Sequence, residues 1–166
     1  MEKKEYPDYH QTYMDKVQGK NALQELEDSF TLWEDFIMDL EEDKGDFAYA
    51  NGKWTVKEVL QHIVDTERVF QFRALSFARN EKAELNGFDH NVYVQESRCN
   101  FKTVEDIDNE FVVTRNATLA LFRSFDEDQL KRMGKCSGNE MSVRALGNLM
   151  GGHMRHHLII LNSKYL

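Results

Sequence analysis

The sequence is short of cysteine, proline and clustered basic residues, and each shortage excludes a class of protein. Its two cysteines, Cys99 and Cys136, form no C-x-x-C pair, so neither a zinc ribbon nor a redox motif is indicated. A single proline and 41% hydrophobic residues fit a mostly helical protein. The formal charge is −8, and the lysines and arginines are interleaved with acids. This pattern argues against nucleic-acid binding, which requires a basic face.

The sequence also lacks a segment suited to a membrane or to export. No run approaches the ~18 apolar residues of a bilayer span. The charged N-terminus, MEKKEYPDYHQTYMDKV, lacks the apolar core of a signal peptide. We therefore expect one domain spanning residues 1–166, in the cytoplasm and with reduced thiols.

Apolar residues spaced three and four apart predict four long helices, and hence an all-α four-helix bundle. The predicted helices run from Asn21 to Glu42, from Thr55 to about Ala78, from Thr103 to about Ser124, and from Ser142 to Leu161. Thr55 with Glu58, and Thr103 with Asp106, predict capped starts.

Three further segments are predicted between and before these helices. A short first helix carries Tyr9, Tyr13 and Val17 and ends near Gly19, and a capped turn runs from Asp126 to Met133. Residues 79–102 and 134–141 are predicted to be irregular. A connection as long as 79–102 is expected to cross the bundle and join two parallel helices.

Two of the predicted helices direct histidines toward the core. His153 and His157 share a stripe with Leu146, Met150 and Ile160, and His62 shares one with Val59, Thr66 and Val69. Residues at i and i+4 lie about 5–6 Å apart on one face, which lets two imidazoles bind one metal ion. Three neutral imidazoles with an open position are typical of catalytic zinc, and imidazole also suits nickel or iron.

Alternatives to this metal site remain open on sequence alone. The three histidines could be hydrogen-bonded core residues, because a buried imidazole needs partners for both nitrogens. His156 could replace His157 or hydrogen-bond beside it. Met154 follows His153 where a zinc protease of the H-E-x-x-H type has its catalytic glutamate, so that class is excluded.

Other residues near the histidines have two interpretations each, and the catalytic residues stay unknown. Asp65 could orient a ligand imidazole or form a salt bridge, and Arg73 could bind an anionic substrate or pair with an acid of the preceding helix. Gly151 and Gly152 indicate close approach of a helix or a ligand. The remaining expectations are that His90 faces solvent, that Tyr13 closes over the bundle end, and that Glu67 and Arg68 form an exposed or interhelical ion pair.

Two segments together resemble the DinB-like superfamily of metalloenzymes. They are KWTVKEVLQHIVDTERVFQFRALSFARNEKAELNGFDHNVYV and GGHMRHHLIILNSKYL. The resemblance implies a four-helix bundle of up-down-down-up topology. It also implies a divalent metal held by His62, His153 and His157 near one end of the bundle. The chain departs at Met154, where related sequences commonly have glutamate, which leaves any role of that carboxylate open.

The same resemblance implies a metal-dependent enzyme with a small-molecule substrate. Relatives include transferases and isomerases that use low-molecular-weight thiols, so a thiol-dependent S-transferase is the first expectation. The alternatives are a metal-dependent hydrolase and a non-catalytic protein that binds a metal or small ligand in a stress response. Relatives are often homodimers, so a homodimer is also expected.

Overall fold

The computed structural model describes residues 4–166, and helices account for most of them. The helices and strands are, in chain order, α1 (Gln11–Met14), α2 (Ala22–Asp39), α3 (Val56–Ala78), α4 (His90–Ser97), α5 (Val104–Arg123), α6 (Glu127–Leu130), β1 (Met133–Cys136), β2 (Asn139–Ser142) and α7 (Val143–Lys164). Within this part of the chain, no helix combines the length and apolar character needed to cross a bilayer.

The predicted helix starts are confirmed by their hydrogen bonds. Thr55 forms a capping box with Glu58 before α3, and Thr103 forms one with Asp106 before α5. The Ser142 side chain accepts a hydrogen bond from the backbone N–H of Ala145. Each cap satisfies backbone donors that have no partner inside the helix, which is why these local patterns predict helix starts well.

Contacts between side chains fix the direction of each long helix. Along α2 and α7, Ala22 lies beside Gly147 and Glu25 lies beside Gly151, so the two helices run parallel. Helices α3 and α5 also run parallel, as the hydrogen bonds Glu67–Arg115 and Gln71–Thr118 show. Helix α2 runs antiparallel to α5, because Ser29 is bonded to Arg115 and Trp33 to Asp108. The four helices are therefore an up-down-down-up bundle, the topology that the family resemblance implies.

Two apolar clusters fill the bundle along its length. Phe77, Phe122 and Leu146 belong to one cluster, and Trp33, Phe111 and Leu161 belong to the other. Both clusters are continuous across several helices, so the core that the helical periodicity predicts is present.

The prediction that residues 134–141 form a loop is wrong, because they form an antiparallel hairpin. Its two-residue turn has positive φ at Ser137 (51°) and Gly138 (79°), the backbone geometry of the tightest hairpins. Gly134 lies against α3, where an added Cβ would be 1.9 Å from the Phe77 ring. The hairpin therefore packs on α3 and holds Ser137 beside the candidate site.

The connection between α3 and α5 is more regular than predicted. It contains α4, whose N-cap Asp89 accepts hydrogen bonds from the N–H groups of Asn91 and Val92. At the other end of the sequence, the predicted first helix is reduced to a 3₁₀ turn, Asp8–His10, followed by α1. Both short segments contribute side chains to the candidate site.

Candidate metal centre

Three histidines from two helices converge between α3 and α7. His62 Nε2 lies 3.0 Å from His153 Nε2, which lies 3.1 Å from His157 Nε2. One ring nitrogen of each residue lies within 4.8 Å of the others. Tetrahedral zinc with bonds of about 2.0–2.1 Å needs ligand nitrogens roughly 3.3 Å apart. The three side chains could therefore hold one divalent ion with small adjustments.

Burial keeps these imidazoles neutral, the form that binds metal. Burial, together with a smaller effect of neighbouring histidines, lowers the pKa of His62 to about 4 and that of His157 to about 3. Burial, followed by its histidine neighbours, places the pKa of His153 well below its ordinary value. At neutral pH all three offer lone pairs, so a cation would not have to displace protons.

The histidines line a cavity of about 290 Å³. Five aromatic residues form much of the remaining wall: Tyr9, Tyr13, Trp54, Phe70 and Phe88. Five polar side chains also line it: His10, Thr66, Arg73, His90 and Ser137. An apolar cleft with a few converging polar groups is the usual form of a small-molecule site.

A family model described as the DinB superfamily matches residues 25–161. The chain belongs to the DinB superfamily. No protein with a curated description matches it. Among solved structures, it is similar to YfiT from Bacillus subtilis, described as "a probable metal-dependent hydrolase with an unusual four-helix bundle topology". That match has 18% identity, a TM-score of 0.76, and coverage of 98% of this chain and 90% of YfiT.

A second similar structure is a protein from Streptococcus pneumoniae. It has 14% identity and a TM-score of 0.66, with coverage of 95% of this chain and 99% of the other. At these levels of sequence identity, the two structural similarities show that the chain shares its fold with both proteins.

The converging group of this DinB-superfamily protein includes His157 and leaves out His156. The His156 ring packs edge-on against Tyr13, with centroids 5.1 Å apart, and lies 5.2 Å from the His157 ring. The i,i+4 spacing therefore brings His157, rather than His156, beside His153.

Thr66 lies next to the His62 ring, whereas Asp65 is hydrogen-bonded to other side chains. The Thr66 hydroxyl is 3.4 Å from His62 Nδ1. The Asp65 carboxylate accepts hydrogen bonds from Gln61 and from Arg68, each 3.2 Å long. Burial raises the Asp65 pKa, while these two donors oppose the shift. Thr66 is thus the side chain next to the second ring nitrogen of His62, and sequence reasoning did not single it out for that role.

Arg73 lies in the cavity wall, and its partner is not the predicted acid. Its Nη2 donates to the Asn86 carbonyl over 3.1 Å.

The predicted Glu67–Arg68 ion pair is wrong, because Glu67 is buried and binds Arg115 through two hydrogen bonds of 2.7 Å. Arg68 instead lies near Asp65 and Glu110.

The glycine pair lets other parts of the chain approach α7 closely. A Cβ on Gly151 would lie 2.5 Å from Glu25 Cγ, and one on Gly152 would lie 2.3 Å from the Tyr13 carbonyl oxygen. The second contact seats the N-terminal segment on α7, so that the Tyr13 ring meets the His153 ring edge-on at 5.2 Å. Of the two alternatives for these glycines, the structure shows contact with neighbouring chain segments.

Met154 is fully buried in the apolar cluster that contains Trp33 and Phe111. It is absent from the cavity wall formed by the described residues. Methionine at this position therefore fills the core, and a glutamate of about the same length would place its carboxylate in that core rather than in the cavity. His62 lies about two turns after the start of α3, and His157 lies about two turns before the end of α7, at the same end of the bundle.

Two cavity residues were missed because the segments that carry them are short. His90 is exposed, as expected, but its ring lies 5.7 Å from the His62 ring at the cavity wall. His10 reaches the cavity from the 3₁₀ turn and is buried. Asp89, an N-cap residue, could have predicted the start of α4 and hence the position of His90. Nothing in the sequence indicated that His10 reaches the cavity.

Two other cavities bear on the site. One, of about 570 Å³, lies between α2 and α7 and includes none of the three histidines in its wall. A smaller one, of about 280 Å³, shares Trp54 and His157 with the site cavity and is also lined by Ile160 and Tyr165. His157 therefore borders two separate spaces.

Proposed function

We propose that this DinB-superfamily chain is a metal-dependent enzyme acting on a small molecule, with His62, His153 and His157 as the metal ligands. The convergence of their Nε2 atoms at 3.0 and 3.1 Å carries the proposal. Three neutral imidazoles, two buried and one partly buried, beside an accessible cavity match the ligand set of catalytic zinc, and nickel or iron would also fit.

A divalent ion at this position would act as a Lewis acid and lower the pKa of a water or thiol bound beside it. The chain itself orients the ligands and the substrate. Thr66, next to His62 Nδ1, would fix the tilt of that imidazole, and Tyr13 packs against His153. The aromatic walls would hold an apolar part of the substrate and exclude bulk water.

Hydrolysis is the reaction class best supported. It needs room for one organic substrate plus water, and a cavity of about 290 Å³ is close to the lower end of the usual range of roughly 300–1,000 Å³. The similarity to YfiT, which is described as a probable metal-dependent hydrolase, supports the same class.

Thiol transfer is the second candidate, and the cavity of about 280 Å³ favours it. A transferase has to bind a low-molecular-weight thiol and an electrophile together. Two cavities that share Trp54 and His157 would allow one substrate on each side of the same ligand. Thiol transfer is also the first reaction expected from the resemblance to the DinB-like superfamily.

Turnover with and without a chelator tests the proposal. The panel pairs 4-nitrophenyl esters, for hydrolysis, with cysteine or glutathione plus 1-chloro-2,4-dinitrobenzene, for thiol transfer. We expect activity that disappears on metal removal and returns with added zinc, nickel or iron. Activity that survives chelation would overturn the proposal, and stoichiometric metal without turnover on a wide panel would indicate a non-catalytic binding protein.

A cavity-filling variant separates the two reaction classes. Ile160→Trp enlarges a half-buried side chain in the second cavity and leaves the site cavity unchanged. If the enzyme is a transferase, we expect this variant to lose thiol transfer. If the enzyme is a hydrolase, we expect hydrolysis at the wild-type rate.

We also propose that the protein forms a homodimer, on the basis of the resemblance. Support comes from Leu32, Ile159 and Leu166, which are 38%, 53% and 56% exposed and line the groove between α2 and α7. Light scattering on the purified protein tests this, and a monomer mass at micromolar concentration would contradict it.

A further inference from the structure

Three arginines of residues 4–166 are buried, and they differ in what balances their charge. Arg115 is fully enclosed and is bound by both carboxylate oxygens of Glu67 at 2.7 Å. Arg155 is 8% exposed and its Nε donates to Glu25 over 2.7 Å. Arg73 is 5% exposed, and no carboxylate of the described residues lies within ion-pair distance of it.

The only hydrogen bond that Arg73 makes within the described residues is the one to the Asn86 carbonyl. Four of its five N–H donors are therefore left for other partners. Its guanidinium carbon lies 5.6 Å from the Phe70 ring centroid and 5.8 Å from that of Phe88. These contacts hold the group in place, but they do not neutralise a buried charge, which is costly to leave without a counter-ion.

The position of Arg73 indicates where a counter-ion would come from. Of the three buried arginines, it is the one that lines the cavity shared with the histidines. A ligand in that cavity could reach the guanidinium without any rearrangement of the core.

His10 supplies an independent sign of a missing ligand in the same cavity. It is 9% exposed, and its Nδ1 is enclosed with no hydrogen-bond partner among residues 4–166. Buried polar atoms in folded proteins nearly always have a partner, so an unpaired nitrogen on a residue that lines the cavity points to a missing partner there. The two residues come from different elements, the Asp8–His10 turn and α3.

We propose that the cavity binds a substrate with an oxyanion, a carboxylate or a phosphate ester, which pairs with Arg73 while His10 Nδ1 hydrogen-bonds to a neighbouring polar atom. This inference rests on the proposed function only in treating the bound molecule as the substrate. Eleven residues of α3, about 16 Å of helical rise, separate His62 from Arg73. The oxyanion and the reacting group would therefore lie at opposite ends of the bound substrate.

Binding of benzoate and of benzamide to the chelator-treated full-length protein tests the proposal. The two probes have the same shape and differ in charge, and both fit a cavity of about 290 Å³. We expect benzoate to bind wild-type protein at least tenfold more tightly in calorimetry or ligand-observed NMR. Inorganic phosphate that displaces benzoate would assign a phosphate ester, and benzoate that resists displacement would assign a carboxylate.

Two variants on one helix provide the matched comparison. Arg73→Met removes the cavity charge and should abolish the preference for benzoate. Arg68→Met makes the same change of net charge outside the cavity, where Arg68 contacts Asp65 and Glu110, and should keep the preference. His10→Leu should weaken benzoate binding at least threefold while leaving the charge preference in place.

Equal binding of the two probes to wild-type protein would overturn the proposal, as would equal loss of preference in Arg73→Met and Arg68→Met. If Arg73→Met does not fold, Arg73→Lys replaces it and should keep a weakened preference; a preference unchanged from wild type would contradict a role for the guanidinium. Binding is measured without metal or turnover, so failure of this inference is distinguishable from failure of the proposed enzyme activity.

Discussion

Acid should destabilise the metal-free protein through its buried histidines. The pKa of His62 is lowered to about 4 and that of His157 to about 3, mainly by burial. In the unfolded chain both titrate near 6.5, so only the unfolded state takes up protons between pH 7.5 and pH 5.5. Stability present above pH 6.5 is therefore lost as the pH falls toward 4. Over those two pH units His62 and His157 each cost about 1.4 kcal/mol, or roughly 2–3 kcal/mol together. His153 and His10, whose pKa values burial also lowers, add to this loss.

Urea unfolding at the two pH values measures this loss. A domain of this kind is typically stable by about 5–15 kcal/mol, so the shift in midpoint should be large. Removing one of these groups with His62→Asn should reduce the loss of stability by about 1.4 kcal/mol. Metal at 100 times its Kd should restore about 2.7 kcal/mol, because the ion binds the neutral imidazoles of the folded state. An unchanged midpoint between pH 7.5 and 5.5 would refute the assignment of these histidines as buried and neutral.

Three further outcomes follow from other contacts. Arg115→Met should cost about 3–5 kcal/mol in urea unfolding because it leaves Glu67 charged and buried without a partner; a cost below 1 kcal/mol would contradict the buried pair. Gly152→Ala should weaken metal binding at least tenfold in a competition titration, because its Cβ would displace the Tyr13 backbone; wild-type affinity would contradict that close contact. Cys136, which is 1% exposed and whose pKa is raised by burial, should react with a thiol reagent only at the rate of unfolding; rapid labelling of the folded protein would argue against this burial.

The features that the sequence predicts well are local ones. The capping boxes at Thr55 and Thr103 depend on residues three positions apart, and the inward face of His153 and His157 follows from helical periodicity. Once two amphipathic helices each carry an inward histidine, burial of both stripes brings the rings together.

The features that were missed depend on contacts between distant segments or on short elements. Glu67 lies on α3 and Arg115 on α5, so nothing in either local pattern announces their pairing. His10 enters the cavity because the N-terminal segment is seated on α7. The hairpin was missed for another reason. Ser137–Gly138 is a turn signal in the sequence, but the flanking residues lack the alternation of apolar and polar residues that predicts strands.

Metal analysis of the purified protein beside two alanine variants tests the central claim most directly. We expect about one equivalent of divalent metal in wild-type protein, and the same in His156→Ala, whose imidazole lies outside the converging group. His153→Ala removes the nitrogen closest to both other ligands and should contain less than a tenth of an equivalent. Metal retained in full by His153→Ala, or no stoichiometric metal in wild-type protein after loading, would contradict a three-histidine metal centre.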